Sequence, residues 1–308
     1  MNDQIKSNFG SSLTVVVPIY NEATSLPDFL HTLISYCREH NWKLVLVNDA
    51  STDGSGSILD RYDNLGNITI VHHKVNRGYG GALKSGIIKA TTPYLVTIDG
   101  DGQHELGDID RLFTFAQQKD ADLIIGNRGR SQKKNRYRSL GKFIIRNFTS
   151  FLMPLPIYDL NSGFKLYRSD LVKKYIPLCP NSMAFSDIIT LIFINQHRLV
   201  LEQPITIHPR RGGKSTINTS TALDTIMEII NILILFNPLR IFLPLSIFCI
   251  LIGVVWGTYI ILLGRGVSIG SMLAIVVGLL FFFLGLIASQ LSALRMMLND
   301  ETDKDLIL

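Results

Sequence analysis

The sequence predicts an α/β domain with a mostly parallel sheet, followed by two transmembrane helices. Three observations support this prediction. Short apolar runs rich in β-branched residues alternate with helical patterns through the first 128 residues. Two long uncharged runs follow near the carboxyl end, and one strand ends in an acidic turn that contains glycine. Apolar strands separated by helices are typical of a parallel sheet covered on both faces.

Local patterns predict each strand and helix. Apolar residues recur at helical spacing after Ser25, which is placed to cap a helix with Pro27 in its first turn. After Asp159 the alternation is less regular, with a helix near 187–197 and an apolar strand at 200–207. In the first half, the predicted strands are 13–20, 43–49, 68–73, 94–99 and 121–128, and the predicted helices are 25–40, one ending at Tyr62, 80–90 and 107–118.

Two uncharged runs predict the membrane spans. Residues 241–263 contain no charge in 23 positions, and residues 271–291 contain none in 21. At about 1.5 Å per residue, each run is long enough as a helix to cross a hydrocarbon core of roughly 30 Å. Two buried core helices are the alternative, but two such runs in succession favour membrane spans.

The distribution of basic residues predicts the orientation in the membrane. Arg210, Arg211, Lys214 and Arg240 precede the first span and Arg295 follows the second. The positive-inside bias therefore places the amino-terminal domain and both termini in the cytoplasm. The first twelve residues are polar and lack the apolar region of a signal peptide.

The same patterns predict four divisions of the chain. The apolar stretch at 219–236 is typical of a helix on the membrane surface, although a core helix has the same pattern. The expected divisions are a cytoplasmic α/β domain at 1–218, a juxtamembrane interfacial helix at 219–240, a transmembrane hairpin at 241–294 and a cytoplasmic tail at 295–308.

Spacing argues against several kinds of site. The three cysteines lie far apart and indicate neither a disulfide framework nor a metal site. The glycine-containing segments at 78–83 and 208–215 lack the spacing of a dinucleotide fingerprint or a Walker A loop. His72 and His73 are adjacent at a strand end and should point to opposite faces, which makes a shared metal improbable.

Asp99 and Asp101 lie one residue apart where a predicted strand ends. Like charges so close cost free energy unless a cation lies between them or water screens them. Carboxylate oxygens suit Mg²⁺ or Mn²⁺, and Gln103 adds a neutral oxygen. A solvated turn is the alternative, and His104 is better interpreted as a loop histidine than as a ligand. The position at the carboxyl edge of the sheet, with Arg128 one strand away, favours a metal site.

A basic stretch follows the fifth predicted strand. Eight cations and no acids lie between Arg128 and Arg146, with Tyr137, Phe143 and Phe148 among them or just beyond. Such a stretch suits an anionic headgroup beside a bilayer. A solvated face and a general attraction to anionic lipids are the alternatives. No nucleic-acid-binding motif accompanies the stretch, so nucleic acid is not expected as a partner.

Seven motifs follow one another along about residues 13–216. They are VVVPIYNE, LVNDASTDGS, NRGYGGALKSGI, IDGDGQH, GNRGR, DLNSGFKLYR and PRRGGKS. In this order they resemble the family 2 glycosyltransferases, and among these the polyprenyl-phosphate branch that is similar to dolichyl-phosphate mannose synthase. The paired spans also fit that branch.

The resemblance implies a metal-dependent hexosyltransferase with a GT-A fold, that is, a Rossmann-like, mostly parallel sheet. It would invert the anomeric centre as it moves one sugar from a UDP- or GDP-sugar to a polyprenyl phosphate at the cytoplasmic membrane face. The product would be a polyprenyl-phosphate monosaccharide. The resemblance leaves the sugar, the base and the choice of Mg²⁺ or Mn²⁺ open, together with assembly into a homo-oligomer.

The resemblance also implies roles for individual residues. Asp49 would accept a hydrogen bond from a base N–H, and Asp99 would face the ribose and the metal. The implied donor-binding residues are Pro18, Tyr20, Glu22, Asp49, Asn76 and Asp99, and the implied metal ligands are Asp99, Asp101 and Gln103. The implied catalytic residues are Asp101, Arg128, Arg138 and Lys142. Of these, Arg128 would lie near the donor phosphates, and Arg138 and Lys142 would lie near the lipid phosphate.

Three positions depart from the family pattern. Asn48 replaces the first Asp of the usual Asp-Asp-Gly-Ser, and Ala50 replaces its Gly. These two changes put the details of base recognition in question, but not the fold. The family commonly has Glu near Asp187, so a functional role for Asp187 is left open.

Charge explains why a lipid phosphate is a suitable acceptor. Departure of a nucleoside diphosphate builds negative charge on its β-phosphate, which a cation and Arg128 would stabilise. A phosphate monoester is already largely ionised at pH 7, since its second pKa is about 6. It therefore needs cationic anchoring rather than a general base.

Three other functions fit parts of the sequence. A transferase to a glycerolipid or ceramide hydroxyl would need a base, for which Asp187 and Asp159 are candidates. A processive polysaccharide synthase would carry Gln-x-x-Arg-Trp, but neither Trp42 nor Trp256 lies in that context. A non-catalytic membrane anchor that kept the fold would have no need of the repulsion between Asp99 and Asp101.

Overall fold

A computed structural model describes residues 12–63, 65–129, 157–208 and 238–305. The chain forms two compact units, Met1–Thr225 and Ile226–Leu308. The strands of the first unit are β1 (Leu13–Ile19), β2 (Lys43–Asn48), β3 (Ile68–His72), β4 (Tyr94–Thr97), β5 (Leu123–Asn127), β6 (Lys165–Arg168) and β7 (Val200–Pro204). Its helices are α1 (Leu26–Glu39), α2 (Ser55–Asp60), α3 (Gly78–Lys89), α4 (Gly107–Lys119), α5 (Ser169–Tyr175) and α6 (Phe185–Asn195).

The strands form one seven-stranded sheet in the order β3-β2-β1-β4-β6-β5-β7. Strand β6 runs antiparallel to β4 and β5, and the other four pairings are parallel. The predicted α/β class and mostly parallel sheet are therefore confirmed. The first five predicted strands and their intervening helices also occur, with ends that differ by a few residues.

Sequence patterns did not predict β6, which has only four residues and begins with a charged side chain, Lys165. Lys165 is completely buried. Its ammonium group donates to the carbonyl of Leu160 at 2.9 Å, to the hydroxyl of Thr190 at 2.8 Å and to the carbonyl of Ser186. Three acceptors satisfy the three donors of a lysine, which is how a cation is tolerated inside the sheet layer.

Alternation along the strands buries both faces of the sheet. Val15 and Val17 belong to a core that also contains Leu30 of α1 and Phe113 of α4. Val16 points the other way, because successive side chains of a strand lie on opposite faces. Helix α3 covers that second face.

Parallel pairing brings the functional turns to one edge. The register pairs Ile19 with Asn48 and Asn48 with His72, so β1, β2 and β3 end together. Two backbone hydrogen bonds continue this alignment beyond the strands, from Asp49 N to the Ile19 carbonyl and from His73 N to the Asn48 carbonyl, both at 2.9 Å. Side chains that follow these strands therefore share the carboxyl edge of the sheet.

The second unit contains α7 (Leu239–Leu262) and α8 (Ile269–Asp305). By length and composition, Leu239–Leu262 and Ile269–Leu294 could each cross a membrane, with mean hydropathies of 2.4 and 2.7. Only 17% of the most apolar window of each is buried, which does not fit a core helix of a soluble protein. The predicted membrane hairpin is thus supported. Helix α8 continues to Asp305, through most of the segment expected to be a tail.

Small residues bring the two long helices close together. A Cβ at Gly253 would lie 2.8 Å from the Ser271 carbonyl oxygen, and one at Gly278 would lie 2.9 Å from the Ser246 carbonyl oxygen. Glycine at such positions lets helix backbones approach closely, which favours packing in lipid. The interfacial helix expected at 219–240 and the boundary expected at 218 lie largely or wholly outside the described residues.

Gly86 of α3 allows the helix to lie close to the sheet. A Cβ at this position would lie 2.4 Å from Val16 Cγ1 and 3.1 Å from Val47 Cγ2. We predict that Gly86→Ala lowers the free energy of unfolding by about 1–3 kcal/mol, because it overpacks the core. Thermal unfolding in detergent, followed by circular dichroism, measures the change.

Gly107→Ala is the matched control, since a Cβ at Gly107 meets nothing within 4 Å. An equal effect of both substitutions would contradict the packing assigned to α3.

Candidate active site

The acidic turn crosses the end of β1. Asp99 follows β4, and a Cβ at Gly100 would lie 3.1 Å from the Pro18 carbonyl oxygen, so the turn packs tightly there. Gly102 has a φ of 69°, a conformation that L side chains rarely adopt. The turn is closed by a hydrogen bond of 3.2 Å from the Gln103 backbone N–H to Asp101 Oδ1.

One hydrogen bond and one longer polar contact hold the carboxylate of Asp99. The hydroxyl of Tyr79, in the first turn of α3, donates to Oδ1 at 2.9 Å. Nε2 of His104 lies 3.6 Å from Oδ2, and the His104 side chain is only 6% exposed. Burial opposes ionisation of Asp99, but the His104 and Tyr79 contacts and the charge of Arg128 outweigh it and lower the pKa of Asp99. Asp99 is therefore ionised at neutral pH.

Gly163 leaves the space that this arrangement needs. A Cβ there would lie 2.7 Å from the Tyr79 hydroxyl and 2.8 Å from Asp99 Oδ1. Gly163 belongs to the segment that leads into β6, so the antiparallel strand brings its backbone directly against the acid. No periodicity of the sequence signals this contact.

The donor set of the turn fits a divalent cation. Asp99, Asp101 and Gln103 all lie in it, as predicted, and hard oxygen ligands suit Mg²⁺ and Mn²⁺. Within the described residues, no group of three or more His, Cys, Asp or Glu could hold a metal ion. A cation here would therefore depend on further oxygens from substrate and water, as Mg²⁺ commonly does with phosphates. The assignment of metal ligands stays a prediction.

The predicted base-binding residues lie at the ends of β1 and β2. Asp49 is 3% exposed, and its Oδ1 accepts hydrogen bonds from His73 Nδ1 at 2.7 Å and from the Arg77 backbone N–H at 2.8 Å. Tyr20 is 49% exposed, so about half of the residue is available for contact with a ligand. Pro18 lies within β1, opposite Val47 of β2.

Two other predicted donor-site residues have local structural contacts. The carboxylate of Glu22 accepts a hydrogen bond of 3.0 Å from the Ser25 hydroxyl, just before α1. Asn76 Oδ1 accepts a hydrogen bond of 2.9 Å from the Gly78 backbone N–H at the start of α3. These contacts shape the turns at the sheet edge, and a role of either side chain in donor binding stays a prediction.

Arg128 forms a two-pronged ion pair with Asp159. Its Nε donates to Oδ2 at 2.8 Å and its Nη2 to Oδ1 at 2.7 Å. Nη2 also donates to the Asn161 carbonyl at 3.0 Å. Burial opposes ionisation of Asp159, but the hydrogen bonds and charge of Arg128 lower its pKa. The sequence indicates Asp159 as a candidate general base for a hydroxyl acceptor, but it does not predict this ion pair. Arg138 and Lys142 lie outside the described residues.

Comparison with known families matches the two parts of the chain separately. The glycosyl transferase family 2 profile matches residues 14–176, which is more than half of the chain.

The chain belongs to glycosyl transferase family 2.

The GtrB C-terminal hairpin profile matches residues 237–294, which contain both membrane-length helices.

Curated relatives act on polyprenyl phosphates, according to their names. Dodecaprenyl-phosphate galacturonate synthase of Rhizobium johnstonii is 24% identical over 75% of this chain and 68% of its own length. Polyprenol monophosphomannose synthase of Mycolicibacterium smegmatis is 27% identical over 70% of this chain and 84% of its own length. Dolichyl-phosphate beta-glucosyltransferase of Dictyostelium discoideum is 27% identical over 54% of this chain and 56% of its own length.

Solved structures share the GT-A fold. Glucosyl-3-phosphoglycerate synthase from Mycobacterium tuberculosis, in complex with Mn²⁺, uridine diphosphate and phosphoglyceric acid, gives a TM-score of 0.58 at 14% identity, covering 72% of this chain and 78% of that chain. The same enzyme was also crystallised with Mg²⁺ and uridine diphosphate. At such low identity the likeness concerns the fold alone.

Asn48, which replaces the first Asp of the family's Asp-Asp-Gly-Ser segment, has a local partner in the structure. Nδ2 of Asn48 lies 3.0 Å from His72 Nδ1, while His72 Nε2 lies 3.1 Å from Asp60 Oδ1. An imidazole that donates to Asp60 through Nε2 must accept at Nδ1 when it is neutral, so it needs the N–H that Asn supplies and Asp lacks. His72 and His73 have different partners, as their adjacent positions predict.

Ala50 bears a backbone strain that the family glycine would avoid. Its φ is 58°, in the left-handed region. That region costs a non-glycine residue roughly 1–2 kcal/mol.

We predict that Gly163→Ala weakens donor use without unfolding the protein. The added methyl group would displace Tyr79 or the Asp99 carboxylate, so the KM for the nucleotide-sugar should rise at least tenfold, about what one charged hydrogen bond contributes. Steady-state kinetics on purified protein measure this effect.

Gly107→Ala serves again as the control and should leave KM unchanged. Wild-type kinetics in a folded Gly163→Ala protein would show that the close approach of Gly163 to Asp99 does not affect donor use.

Proposed function

We propose that this protein transfers one sugar, with inversion, from a UDP- or GDP-sugar to a polyprenyl phosphate at the cytoplasmic membrane face. The observation that carries the proposal is the ionised Asp99, held beside Asp101 at the carboxyl edge of a family 2 sheet. Membrane-length helices in the same chain and the polyprenyl-phosphate enzymes among its relatives support a lipid acceptor.

Donor binding would use the ends of three strands. Asp49 would accept from the base, Pro18 and Tyr20 would line the base and ribose, and Asp99 would face the ribose. Asp101 and Gln103 would hold a divalent cation together with Asp99. When bound, this cation would supply Lewis-acid stabilisation for the departing diphosphate.

The Asp159 contacts argue against one of the two candidate bases for a hydroxyl acceptor. A general base for a hydroxyl must have a pKa near the working pH and an oxygen free to take the proton. Both Asp159 oxygens accept hydrogen bonds from Arg128. Burial alone would raise the pKa of Asp159, but the hydrogen bonds and charge of Arg128 outweigh burial and lower it. Asp159 is thus poorly suited to that role, whereas a lipid phosphate needs no base.

The remaining assignments follow from the sequence. Arg138 and Lys142 would anchor the lipid phosphate, and the basic flanks would keep the catalytic unit on the cytoplasmic side. Membrane lipid would then surround the helices permanently, and nucleic acid is not expected as a partner. A mass measurement in detergent would show whether the protein forms a homo-oligomer.

An acceptor comparison tests the proposal. The purified, detergent-solubilised protein receives Mn²⁺ or Mg²⁺, a panel of UDP- and GDP-sugars, and undecaprenyl phosphate, undecaprenol or diacylglycerol. We expect a lipid carrying one sugar only with undecaprenyl phosphate and only with the metal, detected by mass spectrometry. A product on undecaprenol or diacylglycerol would instead support the hydroxyl-acceptor alternative, and no turnover of any donor would support a non-catalytic relative.

We predict that Asp101→Asn lowers kcat by about 10²–10³-fold, the usual loss when one stabilising group is removed from an active site. The thermal unfolding temperature should stay close to that of the wild type, because the turn keeps its backbone and a side-chain oxygen that accepts from Gln103. Asp28→Asn, an exposed change on α1, is the control and should keep full activity. Full turnover by Asp101→Asn would refute the assigned role.

A further inference from the structure

We propose that His73 is a positioning residue that fixes the Asp49 carboxylate and thereby sets which nucleobase the donor site accepts. The inference rests on the proposed function, since Asp49 meets a base only in an enzyme that uses nucleotide-sugars. None of the seven motifs contains His73.

Both nitrogens of the His73 ring are hydrogen-bonded. Nδ1 lies 2.7 Å from Asp49 Oδ1, and Nε2 lies 2.8 Å from the Ser85 hydroxyl on α3. The side chains of His73 and Asp49 are each 4% exposed, so water does not compete for these bonds. The ring therefore links the end of β2, the end of β3 and the helix that covers them.

The partners decide which nitrogen carries the proton. A carboxylate only accepts hydrogen bonds, so Nδ1 must carry a hydrogen and donate it to Asp49. Nε2 of the neutral ring then accepts from the Ser85 hydroxyl, which can also turn to accept from a charged ring. In either state the donor that faces Asp49 is the same.

The contacts on Asp49 leave one oxygen for a ligand. Oδ1 receives both donors, His73 Nδ1 and the Arg77 backbone N–H. Within the described part of the chain, both hydrogen bonds to the Asp49 carboxylate go to Oδ1 and none goes to Oδ2. The backbones of Asp49 and His73 are themselves fixed, by hydrogen bonds to the carbonyls of Ile19 and Asn48. Rotation of the Asp49 side chain is the freedom that remains, and His73 restricts it together with the Arg77 backbone N–H.

A fixed acceptor oxygen discriminates between bases. It favours a ring that presents an N–H at one position, and it disfavours a base that presents a lone pair there, because the lone pair faces Asp49 Oδ2 and leaves that oxygen without a donor. A carboxylate free to rotate would adapt to several bases and lose that preference.

The order Ser85–His73–Asp49 is also that of a hydrolase triad. A hydrolase needs backbone or side-chain donors beside its nucleophile to hold an oxyanion. Ser85 lies in the interior of α3, where backbone N–H groups are used by the helix itself. The positioning role is the one consistent with this setting.

The test compares His73→Leu with His73→Asn in the full-length protein. Isothermal titration calorimetry in detergent, with Mg²⁺, gives Kd for UDP, GDP, CDP and ADP. We expect the ratio between the best and the worst nucleotide to shrink roughly tenfold or more in His73→Leu, the weight of one buried charged hydrogen bond. In His73→Asn the amide N–H can replace Nδ1–H, so most of the ratio should return.

Kinetics and a neighbouring variant separate positioning from a general structural effect. In His73→Leu the KM for the donor should rise more than kcat falls, whereas a merely destabilised protein would lose both and keep its base preference. His72→Leu is the matched control: it removes an imidazole one residue away that contacts Asn48 and Asp60 instead, and it should keep the ratio.

Each result decides the matter. A folded His73→Leu protein with the wild-type ratio overturns the inference and leaves the proposed function intact. If His73→Leu does not fold, His73→Gln, whose amide group reaches the Nε2 position beside Ser85 but offers no N–H in place of Nδ1, should still reduce the ratio, and an unchanged ratio there overturns the inference. A wild type that binds nucleoside diphosphates without preference also overturns it, and a wild type that binds none overturns the proposed function as well.

Discussion

Ionising one carboxylate beside another in a partly buried turn costs free energy, and the arrangement around Asp99 offsets that cost. Tyr79 and His104 contact its two oxygens from different segments. Because Gly163 has no side chain, the Asp99 carboxylate and the Tyr79 hydroxyl have room to form their hydrogen bond. The fold therefore maintains a concentrated negative charge at the edge where the parallel strands end, and a cation with a diphosphate would complete this site.

Two cations near that turn, Arg128 and Lys165, already have partners within the protein. Arg128 is paired with Asp159 through two hydrogen bonds, so much of its charge is already balanced before a donor arrives. Lys165 is buried and satisfied by three oxygen acceptors, which fixes β6 between β4 and β5. Burial lowers the pKa of Lys165 to about 7. The cations expected to meet the acceptor phosphate lie instead in the basic stretch 128–146.

Much of the fold could be predicted from the sequence, because apolar strands, helical periodicity and uncharged runs are local signals. Strand β6 could not, since it has only four residues and depends on pairing with the distant strands β4 and β5 and on hydrogen-bond acceptors for the buried Lys165. The acidic turn was predictable from two aspartates and a glycine. Tyr79 and His73 were not, because their roles arise only when α3 and β3 are brought to the same sheet edge.

Cation binding tests the central claim most directly. The wild type and Asp101→Asn are titrated with Mn²⁺ in the absence and presence of UDP or GDP, and electron paramagnetic resonance reports free and protein-bound Mn²⁺, with nucleotide alone as the reference. We expect that one nucleotide strengthens Mn²⁺ binding to the wild type and that Asp101→Asn loses this binding. Equal binding by both proteins, or no nucleotide-dependent binding by the wild type, would contradict it.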